Sequence, residues 1–537
     1  MLAICTMLFA STFAQKVEVE KTYEISGKAK RGYLGGVEYD EAKQIYSLTY
    51  VTKSTPKVGK FETYKFDKDF NFIELVEEEV EFDKARTKWK WFTFAGEETS
   101  GELLTVENNM LGQLVLKKGR FVRKWDWFYG GYDVDYVLTE KVKPKDPEGR
   151  KLTLVTYTTD APSDQITTYG GWGWLGTKTK DYSAATGDVT VVCAVGATMK
   201  DAKAGNVKYE YVAMRISASD LTIKKEQKFE FATPQNIVST RILPNGDFAL
   251  LFSPVNAGKK VSDPDPLNFT YLRISSADCS VKDRISFKSL NSYWSVSDMA
   301  MDPDGNVFVY GPANSKNNDK YWNEQVGAEK FSDFMILKIA GGKLAWVTNT
   351  NLDEVEGKLR VPPSQKKAPA YKGKKFQIGG LEQAPNGDLL IYGQNYKPKD
   401  DGWEYTDILV FHFSDQGKLK AQYGLDVIET NKYAQAGFSE SLFTPSADNK
   451  NMYWIIFEVA GVKGGNKPRQ LNYARVGKID LTAATVNNFQ ALGQAKGDKY
   501  FLENSFPILP SKDGNKLTFF GSDKGGRTLW FCRVAMD

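Results

Sequence analysis

Histidine is almost missing from this sequence: His412 is the only one in 537 residues. A Ser-His-Asp triad needs an imidazole base near neutral pH, and zinc or iron centres usually recruit several imidazoles. His412 lies in an apolar stretch between Phe411 and Phe413, so it reads as a packed strand residue rather than a base. No catalytic, cofactor-binding or metal-binding residue is assigned. Cysteine is scarce as well, with four widely spaced residues at 5, 193, 279 and 532. That number excludes a disulfide scaffold, and the last three read as small core hydrophobes. No apolar run reaches the roughly 18 residues a spanning helix needs. Charge of one sign is lacking too. The 71 basic and 67 acidic residues nearly cancel, giving no global support for nucleic-acid binding.

What is present is repetition. Leu243-Pro244-Asn245-Gly246-Asp247-Phe248 recurs as Asp302-Pro303-Asp304-Gly305-Asn306-Val307 and as Ala384-Pro385-Asn386-Gly387-Asp388-Leu389, more loosely at Pro445 and Pro510. The five prolines are 59, 82, 60 and 65 residues apart, a period that signals a propeller or another repeat array. Each phrase is a tight turn leading into an apolar strand. A second family of strands follows: 268–274, 333–339, 407–413 and 471–476, all alternating and rich in aromatic or β-branched residues.

The unit is therefore a four-stranded meander, the grammar of a propeller blade. Units at 33–85, 86–130, 131–233, 234–290, 291–350, 376–428 and 434–492 make seven. The tail 501–537 holds only three strands, and residues 17–26 have the alternation of an outer strand. Pairing the two completes an eighth blade and removes exposed edges by closing the ring. The fold expected is all-β, a closed propeller of about eight blades, with seven as the alternative.

Around Pro510, Ser511-Lys512-Asp513-Gly514-Asn515-Lys516-Leu517-Thr518-Phe519 resembles the WD40-like repeats of exported bacterial propellers of the TolB type, and Pro303-Asp304-Gly305-Asn306-Val307-Phe308-Val309 is similar. Pro445-Ser446-Ala447-Asp448 departs from the pattern by lacking the glycine. The resemblance covers about five blades and implies a fold, since the motif is a turn signature without catalytic content. At the start, the uncharged apolar run 2–9 followed by Thr12-Phe13-Ala14-Gln15 reads as a secretory signal over 1–14, leaving 15–537 as one propeller domain.

Several motifs fall away on inspection. Gly171-Trp172-Gly173-Trp174-Leu175-Gly176 matches a dinucleotide fingerprint literally, but no helical period follows it. Acidic stretches at Asp67 and Asp302 lack glycine where a calcium loop needs its sharp turn, and read as turns. Three Trp-x-Trp pairs, Trp89/Trp91, Trp125/Trp127 and Trp172/Trp174, read as packing between blades or as an aromatic platform.

Long insertions between second and third strands would all emerge on one face, opposite the Asn-Gly turns. They carry Tyr321, Trp322, Lys397, Lys399, Trp403, Lys463, Lys467 and Arg469, which together with Trp172 and Trp174 of the aromatic loop make a basic, aromatic docking face. A proline-rich basic insertion at 348–375 is expected to arch over it as a loop. The function expected is a non-enzymatic, protein-binding subunit of a bacterial envelope assembly. The Ala14-Gln15 ending, the lysine- and asparagine-rich style and the WD40-like repeats are similar to envelope propellers of type 9 secretion, implying a subunit that caps or plugs the outer-membrane translocon. The alternative is a carbohydrate-binding or carbohydrate-active propeller using two carboxylates.

Overall fold

In a computed structural model of the chain, the residues described are 16–54, 58–81, 85–89, 92–98, 103–126, 131–160, 166–169, 179–182, 184–185, 187–196, 209–231, 235–254, 268–291, 293–314, 332–373, 375–399, 402–463, 469–494, 499–511 and 515–536. They are mostly strand, in eight sheets of four or more strands, antiparallel but for one two-residue parallel pair, and one short hairpin, Ile166–Tyr169 with Thr179–Tyr182. The sheets are numbered I to VIII in chain order.

Sheet I is a meander of Tyr33–Asp40, Ile45–Ser54, Val58–Asp67 and Phe72–Glu81. Sheets III (152–231) and IV (235–288) repeat that order, and sheets V (293–351), VI (376–425) and VII (440–491) do so with short additional strands. Sheet VIII joins Tyr500–Leu502, Ile508–Pro510, Lys516–Asp523 and Thr528–Ala535 to the N-terminal strand Lys16–Glu24, which pairs along Thr528–Ala535.

Sheet II, built from Ala85–Trp89, Phe92–Glu98, Leu103–Asn108, Leu114–Asp126, Gly131–Val142 and Ala184–Ala185, is where the sequence reading and the fold part. Residues 131–142, assigned above to the third unit, pair with Leu114–Asp126, so the unit boundary moves from 130 to the 142–152 connection. A 12-residue strand opposite a 13-residue one is a hairpin in its own right, and local alternation carries no mark of which sheet claims it.

The tight turns are what the phrase demands. Asn245 Oδ1 accepts the amide of Asp247 at 3.1 Å, and Gly246 sits at φ 82°, where a side chain would be strained. At Asp302 the carboxylate accepts the Asn306 amide at 2.8 Å, and at Asp67 it accepts the Asn71 amide at 2.8 Å. Both stretches are turns between strands.

Middle strands are buried on both faces, and alternation sends successive residues into different cores. Phe248, Leu250 and Phe252 pack with sheet III, while Ala249 and Leu251 pack with sheet V. Leu389 and Ile391 face sheet V, and Leu390 faces sheet VII. Tyr453 and Ile455 face sheet VIII, and Met452, Trp454 and Ile456 face sheet VI. Cores of this kind join II to III, III to IV, and so on to VIII, and a further one joins VIII to I. The first strands of sheets IV to VII lie beside one another in sequence order, forming a common inner edge.

Residues 348–375 do not form a free arch. Residues 348–351 are the end of the strand Lys343–Asn351, Leu352–Glu356 is a short helix behind an Asn351 capping box, and Leu359–Arg360 pairs in parallel with Leu419–Leu425. Pro369 O then accepts from Gln422 Nε2 at 2.9 Å, and Tyr371 N donates to Gln422 Oε1 at 2.8 Å. The segment thus runs along the outer edge of sheet VI, because buried Gln422 and Tyr371 need each other's company more than the prolines need solvent.

Candidate functional site

First strands run toward the Asn-Gly turns, so second-to-third connections and the links between sheets lie at the opposite edge, here the loop edge. Three of the long insertions are not loops but prolonged hairpins. Leu389–Lys399 pairs with Gly402–Phe413 down to Lys399 opposite Gly402, with a register shift at Gln394/Tyr396. Asn451–Lys463 pairs with Arg469–Asp480 down to Lys463 opposite Arg469, and Ile45–Ser54 pairs with Val58–Asp67 down to Ser54 opposite Gly59. β-Bulges let strands continue past the core and twist free of it.

At the sheet VI tip, Trp403 is 53% exposed and stands edge-on to Tyr396 at 4.4 Å. Lys399 and Lys397 are both committed to Glu404, at 2.8 and 3.5 Å, and hydrogen bonding from Lys399 lowers that carboxyl. Lys463 reaches Gly525 O at 3.3 Å. Arg469 opens its strand opposite Lys463. Trp172, Trp174, Tyr321, Trp322 and Lys467 lie outside the described residues, as do Trp91 and Trp127.

Between sheets VII and VIII the same edge holds a cleft of about 340 Å3. Its floor is Tyr473 and Phe501, stacked at 5.7 Å, and its rim includes Tyr433, Val462 and Lys524. Glu429 accepts from Tyr473 Oη at 2.6 Å and from Lys499 Nζ at 3.1 Å, and those two bonds lower its carboxyl below the usual range. The sequence reading missed this site. Its residues come from 429–433, 460–473 and 499–524, so no local motif announces it; only the adjacency of the last two units could have hinted at it.

His412 is fully buried and connects to the turn phrase. Its Nε2 lies 2.7 Å from Asp388 Oδ2 and its Nδ1 2.7 Å from Tyr423 Oη, while Lys420 Nζ donates to Asp388 at 2.8 Å. Burial pushes the Asp388 carboxyl up, but the bonds from His412, Lys420 and Asn386 outweigh it and hold the group at about 2. The stability this carboxylate contributes is complete above its unfolded pKa of about 3.9 and is lost as pH falls through about 2. Asp388→Asn is expected to lower stability at neutral pH and to make the acid limb of an unfolding-versus-pH curve shallower over that window.

On the inner edge, Glu382 and Glu440 are exposed residues, and partial desolvation raises their carboxyls. Burial first, and then these two carboxylates, raise the hydroxyl of Tyr392, whose ring lies against Gly379 and Gly380. Among the described residues no three His, Cys, Asp or Glu side chains converge as metal ligands, and no helix is long and apolar enough to cross a membrane. Cys193, Cys279 and Cys532 are free and buried, with their thiols pushed up by burial.

The class this architecture defines is a mostly β, propeller-like protein: successive blades, many of them four-stranded antiparallel meanders, packed face to face. Over 97% of its length the chain is similar to 98% of the WD40 domain of SCAP from fission yeast, at 8% identity and a TM-score of 0.28. It is also similar to the lignostilbene dioxygenase of Pseudomonas brassicacearum, with 84% of this chain and 93% of that one covered, at 10% identity and a TM-score of 0.29. Likenesses this shallow carry no argument, so the fold rests on sheet order and the inter-sheet cores. No family model matches the chain, and no curated protein does.

Proposed function

We propose that the chain is a closed eight-bladed propeller, exported to the cell envelope, whose loop edge binds a protein partner without covalent chemistry. The particular role proposed is that of a subunit capping or plugging a type 9 secretion outer-membrane translocon. The observation that carries the docking reading is the loop edge itself: a prolonged hairpin and a cleft that leave the aromatic side chains of Trp403 and Tyr433 53% and 56% exposed. Exposed aromatics on rigid supports are what interface hot spots are built from. Affinity purification of the full chain from its native outer membrane is expected to recover a stoichiometric envelope protein. Recovery of the chain alone would refute the subunit reading.

One observation favours the carbohydrate reading. Glu382 and Glu440 stand on neighbouring inner strands with raised carboxyls, and a raised carboxyl is what a general acid requires. Tyr392 rather than tryptophan stands beside them. Release of reducing sugar from envelope polysaccharide by the purified chain, abolished in Glu382→Gln, would favour this reading over docking.

A further inference from the structure

We propose that the cleft between sheets VII and VIII receives a short acidic segment of the partner, with one large aromatic or apolar side chain against Tyr433 and Val462 and a carboxylate on Lys524. The proposal rests on the docking reading and gives that edge its ligand chemistry.

Size comes first. A volume of about 340 Å3 is at the small end of ligand sites, enough for one large side chain and its flanking backbone. The floor is preformed, since Tyr473 and Phe501 are 2% and 5% exposed and stacked with an interplanar angle of 19°. The rim is different: Tyr433 is 56% and Val462 40% exposed, two large side chains left to water beside the same opening. Next to Val462, Gly461 has φ 155°, and a Cβ built there would meet nothing, so open space continues along the hairpin.

Charge then decides the sign. Glu429 is the acidic group lining the cleft, and it is already held by Tyr473 and Lys499. Lys524, which also lines the cleft, has no ion-pair partner among the described residues. Lys463 beside it bonds a backbone oxygen, Gly525 O, and Lys432 lies 4.9 Å from the Tyr433 ring centroid. The charge left to offer is positive. A basic segment would meet three lysines and a neutralised carboxylate; an acidic one would find its complement.

The test uses the full chain and a fluorescent N-acetylated heptapeptide with one central tyrosine flanked by glutamate and aspartate, beside a counterpart with lysine at every acidic position. The acidic peptide is expected to bind in a salt-sensitive manner, at least about tenfold more tightly than the basic one, with Lys524→Glu and Tyr433→Ser each weakening it by about tenfold or more. Both residues are exposed, so melting temperatures should stay at the wild-type value and exclude misfolding as the cause. Equal binding of the two peptides, binding unchanged in the variants, or no binding of the acidic peptide would overturn the proposal. The same variants in the membrane purification separate the two readings. A partner retained equally by wild type and by the double variant leaves docking standing and removes the cleft, whereas wild type recovered alone removes docking.

Discussion

Replacing Arg475 by alanine is expected to lower the stability of the chain by about 3–5 kcal/mol, the cost of leaving a buried carboxylate without its cation. Glu458 is 0% exposed, and Arg475 Nη1 donates to its Oε2 at 2.6 Å. The same nitrogen donates to Asp426 O at 2.9 Å, and Glu458 accepts the Ile428 amide, so the pair fastens the start of the 426–439 link onto sheet VII. The guanidinium also lies 5.7 Å from the Phe489 ring centroid. A denaturant titration would read the loss as a lower midpoint with an unchanged slope. Replacing both partners, Glu458→Met with Arg475→Leu, should recover most of it, because the penalty belongs to the orphaned charge rather than to the missing attraction. A double variant no more stable than Arg475→Ala would show that the pair acts through its backbone bonds instead.

Deleting residues 16–24 should be the other severe change, costing about 5 kcal/mol or more if Val17, Val19 and Tyr23 each contribute about 1.5–3 kcal/mol of burial. The strand completes sheet VIII and touches sheet I at once. Tyr23 stacks on Phe72 at 4.6 Å and meets Phe66 edge-on at 5.4 Å, while Trp530 Nε1 donates to Glu20 at 2.8 Å. Its loss also bares the edge of Thr528–Ala535, an open invitation to pairing between chains. Calorimetry should show a large drop in melting temperature together with aggregation; the synthetic strand peptide added in trans should restore part of the loss. A deletion variant melting within a few degrees of wild type would mean that the strand is an ornament on sheet VIII.

That strand illustrates how much of the fold is legible beforehand. A lone alternating segment at one end and three strands at the other have no other partners, so the pairing of 16–24 with 528–535 follows from the need to satisfy an edge. The Asn-Gly phrase is equally plain, since positive φ and side-chain capping restrict its residue types. What local pattern does not carry is tertiary ownership. Leu389–Lys399 includes Asn395, Lys397 and Pro398, a loop-like composition, yet it stays in register with Gly402–Phe413 because the hairpin outruns the sheet and needs no apolar face there. Tyr371 is embedded in lysines and prolines but is 4% exposed, its neighbourhood decided by Gln422 some fifty residues on. The cleft is illegible for the same reason, assembled from three separate stretches whose members are unremarkable in sequence. His412 was legible as a packed residue; its Asp388 partner, standing inside the repeated phrase, was not.

The loop edge is a single working face only if the blades form a ring. Small-angle X-ray scattering on the monomer in solution tests this most directly. A closed, compact ring of this length should give a radius of gyration of about 24 Å and a pair-distance distribution that falls smoothly to its limit. A clearly larger radius with a long tail in that distribution would mean an open stack, with sheets I and II apart, and would contradict the account.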